Sequence, residues 1–247
     1  MPAILLLAAL LLAGCSTTPQ VPPGEEPEEA IFSASRLLRS DVKSPVDVYD
    51  PLEGFNRGMY EFNYGFDKYF FLPVVSGYKA ITPEPAQQGV HNFFNNLLDL
   101  KTLINQIFQL KPGPALETVS RLGWNTTLGV FGLFDVATRF DIPRHLEDFG
   151  QTLGHYGAGP GPYLVLPLLG PSNLRDGAGL VVDSLLFSAI DPLRIEGRPQ
   201  RQIVYYTLNA IDQRAHIDFQ YHQTGSLFEY DLVRMLYETK RQLEIEK

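Results

Sequence analysis

Few residues of this 247-residue chain have the types and spacing that catalysis or metal binding requires. Ser172 lies in the nearest match to the nucleophile elbow G-x-S-x-G, but the second glycine is absent, so a helix cap is the better interpretation. His216 and His222 are six positions apart, which separates them by about 240° around a helix and prevents them from sharing one metal ion. His155 stands alone among glycines, and a lone histidine is more often structural than catalytic. We therefore predict no catalytic residue, no metal site and no enzymatic activity.

Two carboxylates have a more suggestive spacing. Asp176 and Asp183 are seven positions apart, so they share one face of a predicted helix. Most such pairs are simply solvated, whereas within a pore they would be functional. The residues alone leave both interpretations open.

The composition excludes some partners and indicates an unusual surface. A formal net charge of −8 is unfavourable for nucleic-acid binding, which needs clustered Lys and Arg. Only 19% of the residues are charged, against roughly 25% in typical soluble domains, and 12% are aromatic. We expect part of the surface to face something other than water. The single cysteine, Cys15, cannot form an intramolecular disulfide or a thiolate-rich metal site.

The N-terminus has the pattern of a secretion signal. Residues 3–13 form an uninterrupted apolar run that is shorter than the roughly 20 residues needed to span a bilayer, and such a run is typical of a signal peptide. The following residues, Leu12-Ala13-Gly14-Cys15, resemble a bacterial lipobox. The resemblance implies removal of a lipoprotein signal peptide, residues 1–14, and attachment of diacylglycerol and an N-acyl chain to Cys15. Several acyl chains would anchor the protein stably, and Ser16 after the cysteine is typical of outer-membrane lipoproteins.

A tether and a helical domain are predicted to follow. Residues 15–48 are rich in proline and glutamate and poor in large apolar side chains, which is typical of a flexible linker. The first helix begins near Asp50, a predicted cap. Its predicted core-facing stripe consists of Phe55, Met59, Phe62, Phe66 and Tyr69. A second stripe of Tyr60, Tyr64 and Phe71 faces either another protein layer or lipid.

Apolar periodicity predicts further helices and no convincing strand. They cover about residues 85–110, 115–125, a segment from the Ser172 cap to Leu186, 200–223 and 227–244. A capping box, residues 226–229, opens the last helix, and residues 238–247 are predicted to be a solvated charged face. Between residues 149 and 179, eight glycines and four prolines exclude a regular helix. We expect an apolar hairpin or loop there, either packed inside or facing a membrane.

Several blocks in order resemble the MlaA/VacJ family of outer-membrane lipoproteins. They are 50–57 (DPLEGFNR), 89–90 (GV) with 92–97 (NFFNNL), 125–129 (NTTLG), 147–154 (EDFGQTLG), 161–167 (GPYLVLP), 170–172 (GPS) and 175–176 (RD). The resemblance implies a single all-α, ring-like domain, residues 49–247, that lies in the inner leaflet of the outer membrane of a Gram-negative bacterium around an amphipathic channel.

The resemblance also implies a function and partners. Members of the family remove phospholipids misplaced in the outer leaflet, and so maintain lipid asymmetry. They pass these lipids to a periplasmic lipid carrier, which feeds an inner-membrane ABC transporter, and they associate with trimeric porins. Apart from the lipid on Cys15, no cofactor is expected.

Candidate site residues follow from the matching motifs. Gly157, Gly159 and Gly161 would belong to a gating hairpin, and Arg175, Asp176 and Asp183 would form the polar side of the channel and contact headgroups. Two other functions remain open at this stage. They are a structural lipoprotein that scaffolds porins or the envelope, and a lipid hydrolase that uses Ser172 or His155.

Overall fold

A computed structural model describes residues 48–223, 226 and 228–247. The predicted signal peptide, Cys15 and the tether up to residue 47 lie outside the described residues, and they remain predictions from the sequence.

The described chain is mostly helical, as predicted. The helices are α1 Glu53–Phe66, α2 Leu72–Ile81, α3 Glu84–Phe108, α4 Pro112–Thr127, α5 Val136–Arg139, α6 Phe149–His155, α7 Leu174–Ile190, α8 Pro199–Ala215 and α9 Glu229–Ile245. A π-helical turn, Asp67–Phe71, joins α1 to α2. Within the described residues, none of these helices combines the length and hydropathy needed to traverse a bilayer.

The predicted apolar hairpin is present and contains two short strands that the sequence pattern did not predict. Strand β1, Tyr163–Leu166, pairs antiparallel with β2, Gly170–Asn173. Four residues are too few for a clear period-two alternation, and Pro171 within β2 lowers its strand propensity further. Both strands nevertheless have buried positions, and Tyr163 and Val165 are almost fully enclosed.

Two asparagines of α1 hold the hairpin. The amide of Asn56 donates to the Tyr163 carbonyl at 3.0 Å and accepts from the Val165 N–H at 2.9 Å. Two turns later, Asn63 pairs in the same way with the Leu166 carbonyl at 3.0 Å and the Leu168 N–H at 2.7 Å. A carboxamide presents one acceptor and one donor, so each asparagine takes the place of a neighbouring strand along β1.

The helices bury polar faces and expose apolar ones. Among the described residues, eight apolar side chains are buried, compared with twenty-two polar or charged ones. The predicted core-facing stripe of α1 is therefore wrong, since Phe55, Phe62 and Tyr69 are each more than half exposed. Tyr60 of the second stripe is buried instead. The same inversion occurs on α4, where Leu116 and Val119 are exposed while Thr118, Arg121 and Asn125 are buried.

Two glycines allow a close helix crossing inside the segment from which helices had been excluded. Helix α6 lies within that segment and packs against α7. A side chain at Gly179 would approach the backbone nitrogen of Gly150 to 2.3 Å, and one at Gly150 would meet the Asp176 carboxylate. Gly150 and Gly179 therefore allow two helices to pack closely, where the sequence pattern predicts a hairpin or loop.

Three predicted helix starts are corrected. Asp50 is not a cap, because α1 begins at Glu53 and Asp50 instead accepts hydrogen bonds from Asn56 and Tyr230. The cap of α7 is Asn173 rather than Ser172; its side chain accepts from the Asp176 N–H at 2.8 Å. Helix α9 begins at Glu229, two residues later than predicted, and the Glu229 carboxylate accepts a hydrogen bond from the Tyr60 hydroxyl at 2.8 Å.

Candidate functional site

A cavity of about 410 Å³ lies where α3, α6, α7, α9 and the β-hairpin meet. One part of its lining is apolar and consists of Leu98, Leu146, Leu166, Leu169, Pro171 and Leu180. The other part is charged and consists of Lys101, Glu147, Asp148, Asp176, Asp183, Lys240, Arg241 and Glu244. Volumes of about 300–1,000 Å³ are typical of small-molecule sites. The cavity thus offers one ligand both a charged and an apolar wall.

Asp176 is placed on the charged wall by the first turn of α7. Its Oδ1 accepts from Arg175 Nε at 2.9 Å, and its Oδ2 accepts from Tyr237 Oη and Arg241 Nε, both at 2.8 Å. Burial raises the pKa of Asp176, but the hydrogen bonds from Arg241 and Arg175 outweigh burial and lower it. The carboxylate therefore stays ionised and fixes α9 against α7.

Arg241 links this carboxylate to a second one. Its guanidinium makes two hydrogen bonds of 2.8 Å to Asp148, which is also the cap of α6. Burial raises the pKa of Asp148, but the hydrogen bonds and charge of Arg241 outweigh it and hold the pKa at about 2. Three helices, α6, α7 and α9, thus meet in one buried charge network.

Asp183 lies deeper along the same face of α7. Its carboxylate accepts from the Asn105 side chain at 2.9 Å and from the Phe149 N–H at 3.1 Å, and Lys101 Nζ is 3.9 Å away. Burial raises the pKa of Asp183, against the lowering effects of Asn105 and Lys101. The spacing of seven therefore brings Asp176 and Asp183 to one cavity wall, where each also holds neighbouring helices together.

Arg175 and the glycines lie beside the cavity rather than on its lining. Arg175 pairs with Asp176 and approaches the Ala158 carbonyl at 3.4 Å. Gly157, Gly159 and Gly161 belong to the connection between α6 and β1, so they precede the β-hairpin instead of forming it. Gly157 and Gly161 have φ values of +89° and +70°, a region that favours glycine. Their predicted gating role remains a prediction.

The sequence interpretation missed the basic side of the wall. Residues 238–247 were predicted to be solvated, yet Arg241 is buried and Glu238 accepts from Asn173 at 3.0 Å. The available signal was the helical spacing. Tyr237 follows Tyr230 by seven positions and Arg241 follows Tyr237 by four, so the three side chains share one face of the helix. Asp148 had no comparable signal, since its partner is 93 positions away.

The residues considered for catalysis have other surroundings. Ser172 lies in β2, and its hydroxyl donates to the adjacent Asn173 carbonyl at 3.4 Å. His155 ends α6 and is exposed. His216 stacks on His91 with ring centroids 3.7 Å apart, while His222 contacts Tyr60 and Tyr64.

Comparisons with known proteins all indicate the same family. The family model for the MlaA lipoprotein matches residues 48–244. An uncharacterised protein of Rickettsia prowazekii is 40% identical over 167 residues, which are 68% of this chain and 61% of that relative. The chain thus spans about three fifths of the length of this rickettsial relative.

Relatives with described roles are also similar. The intermembrane phospholipid transport system lipoprotein MlaA of Escherichia coli is 41% identical over 161 residues, covering 62% of this chain and 64% of the relative. Its namesake in Haemophilus influenzae is 31% identical over 216 residues, covering 85% and 76%.

A solved structure shares the fold as well. It comes from work on the structural basis for maintenance of bacterial outer membrane lipid asymmetry. The TM-score is 0.67 at 33% sequence identity, and the match covers 79% of this chain and 98% of that one. Family model, relatives and structure agree, and the chain belongs to the MlaA lipoprotein family.

Proposed function

We propose that this chain is an outer-membrane lipoprotein that removes mislocalised phospholipids from the outer leaflet and passes them to a periplasmic lipid carrier. In this proposal the lipid on Cys15 anchors the protein to the membrane. The carrier feeds an inner-membrane ABC transporter, and a trimeric porin is the membrane partner.

The observation that carries the proposal is the amphipathic cavity. Lys101 and Lys240 lie on its charged wall and can bind a phosphate, while Leu98, Leu166 and Leu180 offer contacts to the start of an acyl chain. A phospholipid headgroup with its glycerol has this combination of chemistries. The rest of each acyl chain would lie outside the cavity, along apolar surface.

The exterior supports a lipid environment. Apolar side chains are exposed on most of the helices, including Tyr69, Leu116 and Leu185. In water this surface would be costly at about 25 cal/mol per Å² of apolar area. Large exposed apolar surfaces mark contacts with membranes or partners. In the interior, many of the buried polar groups bond to one another, as Asn105 does to Asp183 and Arg241 to Asp176.

The mechanism we infer is passive. The two lysines bind the phosphate, the carboxylates hold the wall rigid, and the leucines contact the acyl chains. The sequence contains no G-x-x-x-x-G-K phosphate-binding loop, so the direction of transfer comes from the partners' affinities.

A matched pair of variants tests the proposal in cells that lack the chromosomal gene. Leu180→Trp fills the cavity, whereas Val181→Trp adds the same ring at the next position, which is exposed and outside the cavity. We expect wild type and Val181→Trp to clear phospholipid from the outer leaflet and to restore detergent resistance, and Leu180→Trp to do neither. Equal clearing by both variants would exclude transport through the cavity.

A transfer assay separates the other functional classes. Purified protein is mixed with liposomes that contain labelled phospholipid. The proposal predicts that intact lipid copurifies with the protein and leaves the liposomes. Release of free fatty acid would indicate a hydrolase, and porin binding without lipid transfer would indicate a scaffold.

A further inference from the structure

A second cluster of chemically capable side chains lies where α3 and α8 pack together. His91 of α3 has its Nδ1 3.0 Å from Oδ2 of Asp212 on α8. His216 follows Asp212 by four residues, and its Nδ1 is 3.4 Å from Oδ1 of the same carboxylate. One possible ligand atom from each of the three residues lies within 4.8 Å of the other two.

Asp212 is buried with its charge incompletely compensated. The residue is 1% exposed, and its Oδ1 has no hydrogen-bond donor. Within the described part of the chain, the two histidines are its only ion-pair partners. The neighbouring Arg214 is not available, because its guanidinium is paired with Asp67 at 2.6 and 2.8 Å.

A tyrosine from a third helix lies near this carboxylate without donating a hydrogen bond to it. The hydroxyl of Tyr78, on α2, is buried without a hydrogen-bond partner. Burial, followed by the negative charge of Asp212, raises the pKa of this phenol. A buried carboxylate oxygen left without a donor is unfavourable, and a bound cation would satisfy it.

The histidines are arranged to reach a common ion. Their rings stack with centroids 3.7 Å apart and planes inclined by 21°. In both rings the Nδ1 atom is the one near the Asp212 carboxylate, at 3.0 Å for His91 and 3.4 Å for His216. The side chains of His91 and His216 are 26% and 32% exposed, which leaves an entry path from the surface. His216 Nδ1 is also 2.8 Å from the Asp212 carbonyl, and metal binding would replace that contact.

We propose that His91, Asp212 and His216 form a binding site for a divalent transition metal, with Zn²⁺ as the probe ion. Two imidazoles and one carboxylate are ligands that Zn²⁺ accepts, with water in the fourth position. Bonds of about 2.0–2.2 Å place tetrahedral ligand atoms about 3.4 Å apart. The three ligand atoms lie within 4.8 Å of one another, so the side chains, including the stacked rings, must rotate toward a common centre when the ion binds. Hard ions such as Mg²⁺ prefer oxygen ligands and are not expected to bind.

Metal binding would fasten α8 to α3 near the end of α8. The ligands come from two helices distant in sequence, so the ion would act as a cross-link between them. The site is separate from the amphipathic cavity, because none of its three residues lines that cavity. The inference therefore does not depend on the proposed lipid transport.

Isothermal titration calorimetry of the full chain in detergent, with any polyhistidine tag removed, tests the site. We expect one Zn²⁺ per chain for wild type and no heat with Mg²⁺. His91→Ala and His216→Ala should each weaken zinc binding at least tenfold, since changing even a supporting residue typically costs metal affinity about 10–100-fold. Hydrogen exchange near the end of α8 should slow with zinc in wild type only.

A matched control is a histidine of another carboxylate pair. His145 lies 2.6 Å from Glu117, and His145→Ala should leave zinc affinity unchanged. Because the two site histidines are partly exposed, their variants are expected to fold even if Asp212→Asn does not. Absence of stoichiometric zinc binding in wild type, or unchanged affinity in the His91→Ala/His216→Ala double variant, would overturn the proposal.

Discussion

Arg241 and Asp148 form a bidentate pair in which both nitrogen–oxygen distances are 2.8 Å. The pair joins the C-terminal part of α9 to the cap of α6, and the same guanidinium reaches Asp176 at the start of α7. Arginine is suited to this position because its planar fork satisfies two carboxylates at once. The charged wall of the cavity is thereby rigid before any ligand arrives.

Removing Arg241 should destabilise the fold strongly. Arg241→Ala leaves Asp148 and Asp176 without their shared cation, and breaking a buried ion pair typically costs about 3–5 kcal/mol. Arg241→Lys keeps the charge but loses the fork, so an intermediate loss is expected. Urea unfolding in detergent followed by circular dichroism measures both. Lys240→Ala, at a 73% exposed side chain, is the control and should stay within about 0.5 kcal/mol of wild type.

The same pair predicts a stability change in acid. The pKa of Asp148 is about 2 in the folded protein, below the ordinary value of 3.8, so ionised Asp148 stabilises the fold above about pH 4. That contribution, roughly 2 kcal/mol, is lost as the pH falls from about 4 to 2. Urea unfolding of wild type and Asp148→Asn should therefore differ at pH 6 and converge near pH 2. A difference that stays constant over this range would contradict the assignment.

The hairpin depends on the carboxamides of α1. Asn56→Leu keeps a similar volume but leaves the Tyr163 carbonyl and the Val165 N–H unpaired, at about 1–3 kcal/mol for each group. Hydrogen exchange at the Val165 amide should become much faster. Asn92→Leu is the control, since it removes two exposed hydrogen bonds, one donated to the Leu133 carbonyl and one accepted from the Gln88 side chain, and should leave the hairpin protected. An unchanged exchange rate at the Val165 amide in Asn56→Leu would show that the two strands are stable without the asparagine.

The positions of most long helices could be predicted from the sequence, but the direction of their faces could not. A 3.6-residue period is the same whether the apolar stripe of a helix meets a protein core or lipid. On α1 this ambiguity led to the wrong side, with Phe55 exposed and Asn56 buried. Asn56 and Asn63 are seven positions apart and so share one face of α1, but their partners lie in the hairpin more than 100 positions away, and only the structure shows that this face is buried.

The candidate site was predictable only where its residues lie on the same helix. Asp176 and Asp183 share a helix, so their common face follows from their spacing. Arg241 joins Asp176 to Asp148 through contacts across 65 and 93 positions, and no periodicity within one helix reports such a pairing. The His91–Asp212 contact spans 121 positions and was missed for the same reason.

The apolar exterior should govern membrane binding more than folding. Leu116 is 68% exposed near the start of α4, where an acidic residue is compatible with the helix dipole. Burying a leucine is worth about 1.5–3 kcal/mol, so Leu116→Asp should weaken vesicle binding of an unacylated Cys15→Ser protein by about tenfold. Its unfolding in detergent should change little. Gln213→Asp, at an exposed polar position, controls for the added charge; equal loss in both variants would remove the case for α4 as a lipid-facing helix.

The crossing of α6 and α7 should tolerate no side chain at its closest point. A Cβ atom at Gly179 would lie 2.3 Å from the Gly150 nitrogen and 2.8 Å from its Cα, and backbone atoms cannot move aside as a flexible side chain can. We expect Gly179→Ala to cost at least about 1–3 kcal/mol and to displace Asp176 and Asp183, which α7 carries to the cavity wall. Gly77→Ala in α2 is the matched control, because nothing lies within 4 Å of its added carbon. That variant should be stabilised by about 0.5–1 kcal/mol through the better helix propensity of alanine. If Gly179→Ala unfolds at the same urea concentration as wild type, α6 and α7 do not cross as closely as described. The crossing would then not be what positions Asp176 and Asp183.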